Sequence, residues 1–230
     1  MKKKYQYLLH LISLQTFIVG TLFLSSLFVF TYIADENVLE KETKFDKNVK
    51  TYVAAHLTPI LVKLMEVVTF FGSMQFLLPA YILMIIYFLL KRNRVSAINI
   101  AIIALSSTGA VYLLKQVFKR HRPGLPLIQN AAGYSFPSGH SISSFVFCSI
   151  LVYILWVSSL KKVWKYSATV LLLLLSISIG ISCIILNVHF ATDVIAGFCL
   201  GIIWVMVSFW ILNKIQKRNS GYPYTKRKIF

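Results

Sequence analysis

The sequence predicts an all-α protein, a bundle of six transmembrane helices with an amphipathic outer hairpin between the first two spans. Three observations carry that prediction. Of 230 residues, 57% are hydrophobic and only 13% are charged, about half the charged fraction of a soluble domain. Six apolar runs, at 7–33, 73–90, 95–114, 141–159, 167–186 and 194–212, are each near or above the roughly 20 residues that cross a bilayer as a helix. The charges, finally, are sorted by side. Six spans put both termini together with Lys2, Lys3, Lys4, Lys91, Arg92, Arg94, Lys161, Lys162, Lys165 and the basic residues from Lys214 onward, and no Asp or Glu lies among them. All seven acidic residues fall on the other side. By the positive-inside rule the termini are cytoplasmic. The net charge of +17 is then mostly a topology signal, and no nucleic-acid partner is expected.

The elements follow in order. Residues 1–33 hold a basic start and a first span. This run exceeds the 7–15-residue core of a secretory signal, and Tyr32 spoils the small-residue cleavage pattern before Asp35, so it reads as a retained anchor. Residues 34–72 form an extracytoplasmic segment in which Val49, Val53, Leu57, Ile60, Leu61, Leu64, Val67 and Val68 recur at helical spacing. Two readings stand: an amphipathic helix on the outer leaflet, or a solvated hairpin with a core-facing stripe. A five-span core at 73–212 and a basic cytoplasmic tail at 213–230 complete the chain. Cys148, Cys183 and Cys199 lie in apolar runs, are odd in number and lack metal-ligand spacing, so neither a disulfide framework nor a zinc site is expected.

Ionisable residues at membrane ends are expensive to keep and are functional candidates. They gather at three places, all on the outer side. After the third span come Lys115, Lys119, Arg120, His121 and Arg122. Such a cluster suits an anion, Arg offering the planar fork that fits phosphate, or else it snorkels to headgroups. Before the fourth span, Pro137, Ser138, Gly139 and His140 open a helix whose first amides lack intrahelical partners and attract phosphate, or they form a simple cap. Between the fifth and sixth spans lie Ser182, Cys183, His189 and Asp193. His189 and Asp193 are four apart, so the carboxylate can hold one imidazole nitrogen and leave the other as base or nucleophile.

Together these segments resemble the type 2 phosphatidic acid phosphatase family of membrane lipid phosphatases. Its signatures K-x6-R-P, P-S-G-H and S-R-x5-H-x3-D are matched by Lys115…Arg122-Pro123, Pro137-Ser138-Gly139-His140 and Ser182-Cys183…His189…Asp193. The likeness extends over about 45–212. It implies hydrolysis of a lipid phosphate without metal or other cofactor, through a phosphohistidine at the outer membrane face. His189 would attack phosphorus, Asp193 would orient it, and His140 would protonate the leaving oxygen. Lys115, Arg122, Ser138, Gly139, Ser182 and the residue at 183 would hold the phosphoryl oxygens. The substrates it suggests are a polyprenyl diphosphate such as undecaprenyl diphosphate, phosphatidylglycerol phosphate or phosphatidic acid, with membrane lipids as surroundings. A phosphotransferase using the same intermediate is an alternative.

One position departs from the pattern. Cys183 stands where the third signature has arginine, and a neutral thiol gives no bidentate charged contact. Either Lys119, Arg120 or His121 supplies the missing charge, or the chain is a weakened or non-hydrolytic relative that binds lipid phosphate.

Overall fold

The structure is a computed structural model and describes residues 14–39, 42–124, 126–128 and 133–219. The basic start with Lys2, Lys3 and Lys4, Glu40, and the tail beyond Asn219 with Lys226, Arg227 and Lys228 lie outside the described residues. Among the described residues the chain is helical, without strands: α1 (Leu14–Leu39), α2 (Lys44–Ala55), α3 (Pro59–Phe70), α4 (Met74–Leu90), α5 (Arg94–Phe118), α6 (Gly139–Val157), α7 (Lys162–Ile185) and α8 (Ala191–Asn219). Six stretches are long and apolar enough to cross a membrane, and the second, Pro59–Leu90, takes in both α3 and α4.

The segment 34–72 is thus the end of α1 followed by two helices. Thr58 separates them because the residue before a proline is pushed out of helical geometry; it is extended at φ −128° and ψ 153°. Pro59 then opens α3, with Thr58 Oγ1 accepting from the Leu61 amide at 3.2 Å. Helix α2 is amphipathic: Lys44, Lys47 and Lys50 are exposed while Asp46 is buried. Helix α3 leaves Ile60, Leu64, Val67 and Phe70 exposed, Ile60 at 82%, an apolar face suited to lipid.

Helix α6 is the centre of the bundle, with α5, α7 and α8 packed on it; α1 lies along α8, α3 along α7 and α4 along α5. Ile100 and Ile103 of α5 meet Ile142, Val146 and Ile150 of α6 and Leu200 of α8 in the main core. Lipid is as apolar as these side chains, so close packing rather than water exclusion holds such helices together, and small residues at the contacts allow it. Gly197 is the clearest case. A Cβ there would stand 2.9 Å from both Ser138 O and Ser141 Cβ, so only glycine lets α8 lie against the first turn of α6.

Two left-handed residues follow helices α5 and α7. Lys119, at φ 47°, closes α5, and Asn187, at φ 54°, follows α7 with its Nδ2 donating to Gly124 O at 2.6 Å. Lys115 and Arg122 therefore do not share one continuous helix, and neither do Ser182 and His189. They are brought together by turns.

Candidate active site

The three clusters converge where the C-terminal end of α5, the N-terminus of α6 and the α7–α8 turn meet. His189 ends that turn. Its backbone amide and that of Val188 donate to Cys183 O at 3.2 and 3.0 Å, so the last turn of α7 carries the imidazole. The ring is 2% exposed. On its Nδ1 side lie Asp193 Oδ2 at 3.5 Å and Ser135 Oγ at 3.4 Å. On its Nε2 side lies Arg122 Nη1, at 3.5 Å. The His140 ring faces it with centroids 6.3 Å apart. One nitrogen is thus held by a carboxylate while the other faces a guanidinium, with a second imidazole nearby.

The cations are aimed by backbone carbonyls. Lys115 Nζ donates to Tyr134 O at 2.5 Å and to Ser135 O at 3.4 Å. Arg122 Nε donates to Gly133 O at 3.1 Å and Nη1 to Val188 O at 2.9 Å. Lys115 runs beside the start of α6, where a Cβ on Gly139 would lie 4.0 Å from Lys115 Cε. Ser138 N donates to Asp193 O at 3.1 Å, tying the α6 N-terminus to α8. Lys115, Arg122, Gly139, His140, His189 and Asp193 are therefore gathered in one place.

The remaining sequence candidates are placed differently. Ser138 Oγ accepts from Ser141 N and Ser141 Oγ, acting as the cap of α6. Ser182 is buried with its hydroxyl donating to Ile179 O at 2.8 Å, spent on its own helix. Cys183 Sγ lies 3.5 Å from Thr69 Oγ1 of α3, so α3 closes over the place where the signature has arginine. Gly72, in the next turn, stands against His140: a Cβ there would come within 3.2 Å of His140 Cδ2 and would overlap Ile179 Cγ2. Of the three cations considered as substitutes for the arginine, Lys119 and His121 are exposed, and all three line a cavity of about 560 Å³ with Arg122, Glu42 and Lys50. Arg120 is buried. Its Nη1 donates to Asp193 Oδ1 at 2.6 Å, its Nη2 to Asp46 Oδ2 at 2.8 Å, and its guanidinium carbon sits 4.2 Å over the Phe190 ring.

Sequence reasoning missed Ser135, Thr69 and Asp46. Ser135 Oγ donates to Asp193 Oδ2 in a short hydrogen bond, and Asp193 Oδ2 also accepts the Phe190 amide at 2.9 Å. Its nearness to P-S-G-H was the one available signal. Asp46 had none beyond being acidic in the outer segment.

Two consequences are measurable. Because Cys183 is fully buried against Thr69, Cys183→Arg overpacks the α3–α7 contact, at a cost of about 1–3 kcal/mol, and adds a charge there. Its melting temperature in detergent should fall, and Thr69→Gly in the same chain should restore part of the loss. An unchanged melting temperature for Cys183→Arg would contradict this packing. The second concerns pH. Burial, opposed by Asp193, pushes the His189 imidazole down from 6.5 to about 4; burial likewise lowers Arg122 from its ordinary value. The folded chain then holds the His189 proton less tightly than the unfolded chain. Stability contributed by the neutral ring is complete above pH 6.5 and declines as pH falls from 6.5 toward 4. Ring resonances of His189 should stay in the neutral form at pH 5.5, and titration near 6.5 would refute it.

The PAP2 superfamily model matches residues 94–217. Among curated proteins the chain is 29% identical over 161 residues to phosphatidylglycerophosphatase B of Bacillus subtilis, covering 69% of this chain and 79% of that one. It is 33% identical over 120 residues to lipid A 1-phosphatase of Porphyromonas gingivalis, covering 52% of this chain and 24% of that longer protein. Its fold matches the crystal structure of the transmembrane PAP2 type phosphatidylglycerolphosphate phosphatase from Bacillus subtilis with a TM-score of 0.75 at 24% identity, covering 84% of this chain and 96% of that one. It also matches that of Aquifex aeolicus LpxE with a TM-score of 0.56 at 23% identity, covering 74% and 98%. The family match takes in all three signatures, and the chain belongs to the PAP2 superfamily.

Proposed function

We propose that this protein is a membrane lipid phosphatase that cleaves a phosphomonoester or diphosphate of a lipid through a phosphohistidine on His189. The observation that carries the reading is the two-sided setting of that ring, with Asp193 and Ser135 at Nδ1, Arg122 at Nε2 and the His140 ring centroid 6.3 Å away. In the first step the Nε2 lone pair forms the bond to phosphorus, the bond from phosphorus to the leaving oxygen breaks, and His140 gives that oxygen its proton. Asp193 accepts from Nδ1–H and offsets the positive charge that grows on the ring. In the second step His140 takes a proton from water, the hydroxide oxygen bonds to phosphorus and the N–P bond breaks. Lys115, Arg122 and the amides at Gly139 and His140 face the phosphoryl oxygens, consistent with a reaction governed by positioning and charge.

The names of the relatives support a phosphorylated membrane lipid as the substrate class, and phosphatidylglycerol phosphate, phosphatidic acid and a polyprenyl diphosphate are the forms to test. The basic connections argue for cytoplasmic termini and an outward-facing site. Cys183 favours a second reading, a relative that holds lipid phosphate without turning it over. Purified protein in EDTA, given each lipid in mixed micelles, separates the two. Phosphate release that survives EDTA is expected. Binding of the lipid phosphate with no release from any of them would establish the second reading.

A further inference from the structure

We propose that Asp46, on the outer helix α2, is a positioning residue of the reaction centre, acting on His189 through Arg120 and Asp193. The inference rests on the phosphohistidine reading above. It concerns a residue outside the 94–217 that the family model matches.

The local sequence is built to present this carboxylate. Thr43 caps α2, its Oγ1 accepting from the Asp46 amide at 3.1 Å, which fixes the first turn and turns Asp46 inward; Asp46 is 2% exposed. There it meets α8 and the chain after α5. Thr192 N donates to Asp46 Oδ1 at 3.0 Å, and Thr192 Oγ1 lies 3.0 and 2.8 Å from its two oxygens. Arg120 Nη2 donates to Oδ2 at 2.8 Å, and Nη1 donates to Asp193 Oδ1 at 2.6 Å. Asp46 thus caps the N-terminus of α8 from another helix, next to the residue that faces His189 Nδ1.

The charges explain why a second carboxylate belongs there. Arg120 alone would neutralise Asp193 through a close, buried pair and weaken its hold on the imidazole. With Asp46 sharing the guanidinium, two carboxylates and one cation leave one net negative charge beside Nδ1. That charge opposes the positive charge the ring acquires when Nε2 bonds to phosphorus. Asp46 touches neither substrate nor nucleophile, so its effect belongs in turnover and not in substrate affinity.

The test is a double-mutant cycle on phosphate release, read together with melting temperature. Asp46→Asn keeps an oxygen for Thr192 and leaves Arg120 paired with Asp193. It should lower kcat about 10- to 100-fold, the scale of a small misplacement in a preorganised site, with KM nearly unchanged. In an Asp193→Asn background the same change should have little further effect on kcat, because its route to His189 is gone. A purely structural role predicts an equal loss in both backgrounds. Should Asp46→Asn fold poorly, Asp46→Asn with Arg120→Gln keeps hydrogen-bonding shapes and leaves Asp193 as the one net negative charge beside Nδ1; it should turn over within about tenfold of the parent, and a loss of about 100-fold in that folded double variant would overturn the proposal. Unchanged kcat in folded Asp46→Asn, additive losses, or a loss confined to KM would overturn the proposal. If the parent releases no phosphate from any lipid, the function reading itself fails and takes this one with it; an active parent with any of those overturning results fails this inference alone.

Discussion

His189→Ala should reduce phosphate release by at least about a thousandfold, the order lost when a covalent nucleophile is removed and only binding and charge stabilisation remain. The size follows from the absence of a substitute. The side chain at Nε2 is Arg122, which cannot deprotonate to attack, and the neighbouring imidazole, His140, has its ring centroid 6.3 Å away. The variant should also lose any acid-labile phosphoenzyme that the parent traps on quenching. Its fold should survive, because the amides of Val188 and His189 are held by Cys183 O whatever the side chain. Lipid phosphate binding through Lys115 and Arg122 should persist. A variant that still turns over at a tenth of the parent rate would assign the chemistry elsewhere.

The sequence carried the spans and the motif residues because both are local. Lipid leaves backbone groups no partner but their own helix, so an apolar run of sufficient length can be read without knowing its neighbours. The motif residues sit at helix ends within a few positions of one another, and their chemistry shows in short spacings. What spacing cannot show is a partner far along the chain. Ser135 reaches Asp193 across 58 positions, Thr69 reaches Cys183 across 114, and Asp46 reaches Thr192 across 146. Helix α3 was obscured differently: exposed Lys63 and Glu66 interrupt its apolar run, so hydropathy read it as part of a polar hairpin. The structure makes it the cover over Cys183.

Arg120→Ala should be the most damaging change to stability, and it decides what the basic cluster does. Lys119, Arg120, His121 and Arg122 look alike in sequence, yet Arg120 alone of the four is buried, at 5% exposure, between two carboxylates. Removing its guanidinium leaves Asp46 and Asp193 charged and close together with Thr192 between them, and uncovers the Phe190 ring. Breaking one buried pair by deleting a partner typically costs about 3–5 kcal/mol, and here one deletion breaks two pairs. The melting temperature should therefore fall steeply and activity with it. Arg120→Lys should lie between, since a single ammonium does not reproduce the fork that spans both carboxylates. Lys119→Ala and His121→Ala, exposed at the cavity they line, should stay within about 0.5 kcal/mol of the parent. The pattern that would reverse the assignment is equally specific. An Arg120→Ala protein that melts like the parent and shows only a raised KM would mean that this arginine contacts substrate and stands in for the one missing at position 183. The geometry argues the opposite, because a guanidinium already shared by two carboxylates has little charge left for a phosphate. The anion would then rely on Lys115, Arg122 and the amides at the start of α6.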